Sequence, residues 1–261
     1  MKGKLENRNA LVTGGSRGIG LAIATRFASE GANVFICATD PRRLDKAASE
    51  LRQFRKKVVA HACDVSDQKA VGAMVQYALA ELGQVDILVN NAGVYKAARF
   101  LDYSAKDFDR IMKVDLYGVF HVTQAILPGM IARKKGKVIN IASTAGKWGS
   151  RYQSAYNAAK HAVVGLTRCV ALEMAPYNIN VNAICPGVTE TDAIQGYFED
   201  QASIRGLTVA ELRKTLLASM VPLGRIIDPK QIAHLALYLA SDESDDVTAQ
   251  SISVCGGYIM V

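Results

Sequence analysis

The chain has 261 residues, half of them apolar, and no Pro- or Ser-rich linker, low-complexity tract or internal repeat, so one domain spanning 1–261 is expected. Its apolar runs are too short to cross a bilayer, residues 1–9 lack the apolar stretch of a secretion signal, and Cys37, Cys63, Cys169, Cys185 and Cys255 form no Cys-x-x-Cys pair. A membrane protein and a disulfide or zinc framework are thereby excluded, and a soluble, cytoplasmic protein without a metal is expected. The net charge of +7 invites a nucleic-acid partner. Its densest run, ArgLysLysGlyLys at 133–137, precedes a strand and so falls on the sheet edge opposite the ligand edge. No nucleic-acid motif accompanies it, so it reads as a solvated face, and small phosphate-bearing molecules are the better use of a basic surface.

Residues 9–13 read as a buried strand that runs into GlyGlySerArgGlyIleGly (14–20) and an amphipathic helix to about 30. A glycine turn between strand and helix exposes N–H groups at a helix N-terminus, where the dipole favours phosphate. Gly14, Gly18 and Gly20 permit the turn and the close approach of a pyrophosphate. The second strand (33–38) ends where a dinucleotide's adenosine ribose would lie, and an acidic residue there would mark NAD. The position reads Ala38-Thr39, with Asp40 one step beyond and Arg17, Arg42 and Arg43 at hand for a 2′-phosphate. NADP(H) is therefore favoured over NAD(H).

A charged helix (42–56) and a strand (57–62) follow, and Asp64 stands at the strand end, able to meet an adenine amino group or merely to cap a turn. A helix (67–82) and a strand (86–90) lead to Asn91, Ala92 and Gly93. The adjacent Asn90 and Asn91 can bond neighbouring backbone while Gly93 leaves room for a flat ring, or the segment is an Asx turn. A long helix over 105–130 contains Asp115. The strand 137–142 delivers Ser143, and the next helix, to about 173, carries Tyr156 and Lys160. The sixth strand (178–184) ends in Cys185, Pro186, Gly187, Val188, Thr189, Glu190 and Thr191. A polar, less regular segment reads as a lid at about 189–220, and a helix (229–240) and strand (251–255) close the domain. Strand–helix alternation throughout predicts an α/β, doubly wound parallel sheet.

Ser143, Tyr156 and Lys160 are spaced by thirteen and four residues. Residues i and i+4 share a helix face, so Lys160 lies beside the Tyr156 phenol. Two unit charges about 4 Å apart at an effective dielectric of about 20 interact by about 4 kcal/mol. That could lower a phenol from about 10 by up to about three units, towards neutral pH. Such a phenol can give a proton to a carbonyl oxygen or take one from an alcohol, and Ser143 could hold the same oxygen. The plain alternative is a surface Tyr and a solvated Lys. Trp148 and Tyr152, close by, read either as an aromatic substrate wall or as loop packing.

With ThrGlyGlySerArgGlyIleGly (13–20), CysAspVal (63–65), AsnAsnAlaGly (90–93), Ser143, Tyr156-x-x-x-Lys160, ProGlyVal (186–188) and Gly256-Gly257, the chain resembles the short-chain dehydrogenase/reductases over its whole length. IleAlaSerThrAlaGlyLysTrpGly (141–149) and LysHisAlaValValGlyLeuThr (160–167) are similar to β-ketoacyl carrier-protein reductases and polyketide ketoreductases. The resemblance implies a single-domain Rossmann fold with a seven-stranded parallel sheet and helices on both faces. It implies Tyr156 as general acid or base, Lys160 as the residue that lowers its pKa and binds the nicotinamide ribose, and Ser143 as the carbonyl-orienting hydroxyl. Gly14, Ser16, Arg17, Gly18, Ile19, Gly20, Thr39, Asp64, Val65, Asn91, Ala92, Gly93, Pro186, Gly187, Val188, Thr189 and Thr191 would line the cofactor channel.

The implied reaction is NADP(H)-dependent interconversion of a ketone and a secondary alcohol, on a β-ketoacyl thioester or polyketide-like ketone, with an acyl carrier protein as a possible partner and a homotetramer as the assembly. Rival readings are an NAD-dependent dehydrogenase of a hydroxy acid, sterol or sugar, and a non-catalytic dinucleotide-binding sensor or scaffold. One position departs from the family: Asp115 stands where Asn is usual. A backbone contact there would tolerate it, whereas its carboxylate could pair with Lys160 and weaken the effect on Tyr156.

Overall fold

The computed structural model describes residues 3–192 and 194–261. Strand β1 (Asn9–Thr13) is buried along its whole length, as a strand covered by helices on both faces must be, and so reads as an apolar run rather than an alternation. After it come α1 (Gly18–Ser29), β2 (Asn33–Ala38), α2 (Pro41–Leu51), β3 (Val58–Ala62), α3 (Gln68–Leu82), β4 (Ile87–Asn90), α4 (Ala105–Met112), α5 (Gly118–Arg133) and β5 (Gly136–Ile141). The chain continues through α6 (Ser154–Met174), β6 (Ile179–Pro186), α7 (Ile194–Arg205), α8 (Val209–Ser219), α9 (Pro229–Ala240) and β7 (Ser251–Val254). The strands form one seven-stranded sheet in the order β3-β2-β1-β4-β5-β6-β7, and every neighbouring pair is parallel.

Successive strand residues face opposite ways, and this builds two cores from one sheet. Val12, Ile36, Val89 and Ile139 meet α1, α2 and α9 through Phe27, Leu44 and Leu237. Leu11, Phe35, Leu88 and Val138 meet α3, α5 and α6 through Met74, Ile126 and Met174. Each large apolar side chain so buried contributes about 1.5–3 kcal/mol. Helix starts follow local chemistry: Asp40 before Pro41 accepts from the N–H groups of Arg42 and Arg43, and Asp228 before Pro229 caps α9 in the same way. Strand order reverses between β1 and β4, and the carboxyl ends of these two strands flank the crevice where a doubly wound sheet binds its ligand.

The structure corrects three expectations. The helix expected over 105–130 is interrupted by a π turn at Lys113–Tyr117, between α4 and α5. The segment expected to be an irregular lid holds two helices around a small core of Phe198, Ala202, Leu212 and Leu216. There α8 starts on a Thr208/Glu211 capping box. The basic run is not simply a solvated face. Lys137 is buried in β5 and pairs with Asp245 at 2.7 Å and Asn180 at 2.8 Å, and Arg133 donates to the Val85 carbonyl at 2.7 Å.

Candidate active site

The carboxyl edge of the sheet opens into a cleft of about 1390 Å³. At one end lies the turn after β1. Gly14 and Gly18 have φ of +62° and +54°, a left-handed region that favours glycine. A Cβ at Gly14 would stand 2.9 Å from Ala92 Cα, and one at Gly20 would overlap the Gly14 carbonyl. Asn91 locks the turn from β4: its Nδ2 donates to the Thr13 and Gly14 carbonyls at 2.9 and 3.1 Å. Thr13 Oγ1 accepts in return from the Asn91 and Ala92 N–H groups. Helix α1 begins at Arg17 with no side-chain cap, so its first N–H groups remain available for an anion.

Gly14, Ser16, Arg17, Gly18, Ile19, Thr39, Asp64, Val65, Asn91, Ala92 and Gly93 line the cleft at this end, and so does Arg43. Pro186, Gly187, Val188, Thr189 and Thr191 line it from the β6 side. Gly20 does not face the cleft; it lets α1 press onto the turn. Arg42 is not among the lining residues either, while Asp40 is occupied as the cap of α2. Asp64 lines the cleft and also makes an Asx turn, accepting from Ser66 N at 2.9 Å and from Ser66 Oγ at 2.7 Å. The glycine cradle, the uncapped helix and the adjacent arginines fit an elongated anionic dinucleotide.

At the other end, β5 delivers Ser143 and α6 delivers Tyr156 and Lys160, all three on the cleft wall. Lys160 is buried, its Nζ 5.5 Å from the Tyr156 ring centre and donating to the Ile141 carbonyl at 3.2 Å. The π turn rotates Asp115 wholly out of solvent into this group. Such turns insert one residue into a helical ladder and often mark functional positions. Asp115 Oδ1 accepts from Val94 N at 2.7 Å, and Oδ2 lies 3.1 Å from Lys160 Nζ. The latter contact is an ion pair without well-aligned hydrogen-bond geometry. A Cβ at Gly93 would stand 3.1 Å from that same Oδ2, so a side chain there would crowd the carboxylate.

The electrostatics differ from the sequence expectation. Burial pushes the Tyr156 phenol up; Lys160 and Ser143 pull it down while Asp115 pushes it up again, and the balance lies above the ordinary value. Burial likewise raises Asp115 against the pull of Lys160. Burial opposes the charge on Lys160, but Asp115 and Tyr156 more than offset that and hold the ammonium charged. The expected fall of the phenol towards neutrality is absent because burial outweighs the cation and Asp115 cancels part of its field.

Beyond Tyr156 the cleft is aromatic. Tyr95 meets Tyr156 edge-on at 5.3 Å and Tyr197 at 5.4 Å, and Trp148 meets Tyr258 edge-on at 5.0 Å. All of these line the cleft. Tyr152 does not: at φ +68° it turns away, and its ring lies 5.8 Å from the Arg205 guanidinium. Sequence reading missed Tyr95, Tyr197 and Tyr258, which come from a loop, the lid and the terminal segment, where no periodicity points to a site.

Residues 8–202 match the family described as short chain dehydrogenase. The chain is 42% identical over 250 residues to a granaticin polyketide synthase putative ketoacyl reductase of Streptomyces violaceoruber, covering 95% of this chain and 92% of that protein. A crystal structure of an actinorhodin polyketide ketoreductase variant with NADPH superposes with a TM-score of 0.94 at 37% identity, covering 99% of each chain. The NAD+-bound xylitol dehydrogenase structure gives 0.94 at 33% identity, covering 97% of this chain and 100% of that one. The chain belongs to the short-chain dehydrogenase/reductase family and is an NAD(P)-dependent oxidoreductase that interconverts a ketone and an alcohol.

Proposed function

We propose that the protein is an NADP(H)-dependent reductase of an uncharged ketone, with a β-ketoacyl thioester or polyketide-like ketone as the substrate class. The observation that carries this reading is the convergence of the Tyr156 phenol, the Ser143 hydroxyl and the Lys160 ammonium on one wall of a cleft whose far end is a glycine cradle. When bound, the nicotinamide supplies the hydride for the carbonyl carbon. Ser143 holds the carbonyl oxygen by a hydrogen bond, and the Tyr156 O–H bond breaks as its proton passes to that oxygen. Lys160, anchored on the Ile141 carbonyl, stabilises the phenolate left behind. The high phenol suits this direction, since the proton donor stays protonated at neutral pH.

The cofactor reading rests on Ala38, where NAD-specific chains place a carboxylate for the ribose 2′-OH, and on Arg17 and Arg43 beside it in the cleft. The similarity to an NADPH-bound ketoreductase supports it; the NAD+-bound neighbour favours the rival. For the substrate, the aromatic wall suits apolar or flat groups. The lid arginines do not line the cleft: Arg205 donates to Gln201 at 3.1 Å and Arg213 pairs with Glu190 at 3.2 Å.

Oxidation of NADPH and of NADH, followed separately with β-ketoacyl thioesters, bicyclic ketones and keto acids, tests the reading. Turnover with NADPH and neutral ketones that disappears in Tyr156→Phe is the expected result. Turnover confined to NADH and keto acids would replace it with the dehydrogenase reading. Dinucleotide binding without turnover across the whole panel would favour the sensor.

A further inference from the structure

Asp115 is a fully buried carboxylate with one neighbour of opposite charge in contact. Its Oδ1 is committed to the Val94 N–H and its Oδ2 to Lys160 Nζ at 3.1 Å. An amide of the same shape at this position would keep the backbone contact and bring no charge. In its ionised form the carboxylate brings a negative charge to the ammonium that faces the reacting phenol. Asp115 lies buried in the π turn, and a Cβ at Gly93 would stand 3.1 Å from its Oδ2.

We propose that Asp115 is a positioning residue that biases this site towards reduction: paired with Lys160, its buried carboxylate keeps the Tyr156 phenol in the proton-donating form. The inference rests on Tyr156 being the proton-transfer group. An isolated ammonium beside Tyr156 would favour phenolate, the form that takes a proton from an alcohol. An ammonium whose charge is offset by a carboxylate favours phenol, the form that gives a proton to a developing alkoxide. The charge at one residue, which touches neither the carbonyl nor the phenol oxygen, thus adds to the effect of burial in holding the phenol protonated.

The other groups facing the phenol do not supply this effect. Ser143, from the end of β5, is neutral and favours the phenolate. Tyr95, from the loop after β4, and Tyr197, from α7, are phenols that burial keeps protonated. Cys185, from β6, is a thiol that burial also holds neutral. Among these described groups around the phenol, Lys160 and Asp115 are the charged pair, and of the two only Asp115 opposes phenolate.

The test is the ionisation of Tyr156 itself in cofactor-free protein, read as the ultraviolet difference between wild type and Tyr156→Phe across pH. The wild-type midpoint is expected above the roughly 10 of a free tyrosine. Asp115→Asn, isosteric and neutral, is expected to move it down by about one unit or more, and to raise kcat for oxidation relative to kcat for reduction, both at saturating substrates and neutral pH, by about tenfold, with compensating changes in KM. Asp115→Ser is neutral but smaller, and an equal shift there assigns the effect to charge rather than shape. A wild-type midpoint near neutral overturns the proposal without any variant. An unmoved midpoint in a variant that melts as a folded protein also overturns it. Because the titration needs no substrate, a failure of the proposed ketone class would leave this result standing; loss of the proton-transfer role would show separately, as full turnover by Tyr156→Phe.

Discussion

Gln201 Nε2 donates to the Tyr95 hydroxyl at 3.0 Å, a bond between lid helix α7 and the loop that follows β4. Gln201 is wholly buried, and its other end accepts from Arg205 at 3.1 Å. Next to it, Asp200 accepts from the Ala97 N–H at 3.2 Å. The Tyr95 ring lies edge-on against Tyr156, so this fastening runs from α7 to the phenol proposed to move the proton. Gln201→Leu keeps the volume and leaves the Tyr95 hydroxyl without its donor. A buried polar group stranded in this way costs about 1–3 kcal/mol. The variant is expected to raise KM for the ketone several-fold and to leave dinucleotide affinity unchanged. Equal KM values in wild type and variant would show that the substrate site does not depend on this bond.

The cradle makes a sharper prediction. A methyl at position 20 would overlap both the Gly14 carbonyl and Asn91 Nδ2, the two partners of the bond that locks the turn. Gly20→Ala is therefore expected to weaken dinucleotide binding at least tenfold, about 1.4 kcal/mol, in a calorimetric titration. Gly165→Ala is the control. Its Cβ would meet nothing within 4 Å, and within α6 the exchange should stabilise the helix by up to about 1 kcal/mol.

The same contrast explains what could be read from the chain alone. Strand β1, the glycine turn and the Tyr156/Lys160 pair follow from local rules: a doubly covered strand is apolar throughout, a tight phosphate turn needs glycine, and residues four apart share a helix face. The π turn at Asp115 has no such signature, since its extra residue leaves the apolar pattern of 105–130 nearly intact. The lid helices were hidden for another reason. They bury a small core of their own around Phe198 rather than a face against the sheet, although Thr208 and Glu211 announced the start of α8. The upward balance at Tyr156 depends on burial and on Asp115 from another element, and neither is visible in a spacing of four residues.

The proposed preference for NADP(H) can be tested at one position. Ala38 ends β2 and lines the cleft with Arg17 and Arg43. A carboxylate there would accept from a ribose 2′-OH and repel a 2′-phosphate. Ala38→Asp is expected to reduce kcat/KM with NADPH at least tenfold while that with NADH holds or rises. Arg17→Ala should lower the NADPH value alone. Were NADPH unaffected by both changes, the 2′-phosphate would have to lie elsewhere.

The wall that carries Ser143, Tyr156 and Lys160 is also held from behind, by a polar ladder inside an otherwise apolar sheet. Asn90 Nδ2 on β4 donates to Asn140 Oδ1 on β5 and to Thr123 Oγ1 on α5, each at 2.8 Å. Asn140 Nδ2 donates to Thr167 Oγ1 on α6 at 2.9 Å. Thr167 in turn donates to the Val163 carbonyl at 2.7 Å. Asn140 thus joins β4, β5 and the helix that carries Tyr156 and Lys160, three residues before Ser143. Asn140→Ala removes the joint and leaves a cavity. Thr123 still receives Asn90 and Val163 still receives Thr167, so neither group is stranded, but the cross-links between the three elements are gone. The expected loss is about 2–3 kcal/mol of unfolding free energy in urea, with kcat falling more than KM rises, because Ser143 and Tyr156 would no longer share one rigid frame. A variant with wild-type stability and a depressed kcat would assign the ladder to alignment alone; wild-type values for both would remove it from the account of the site.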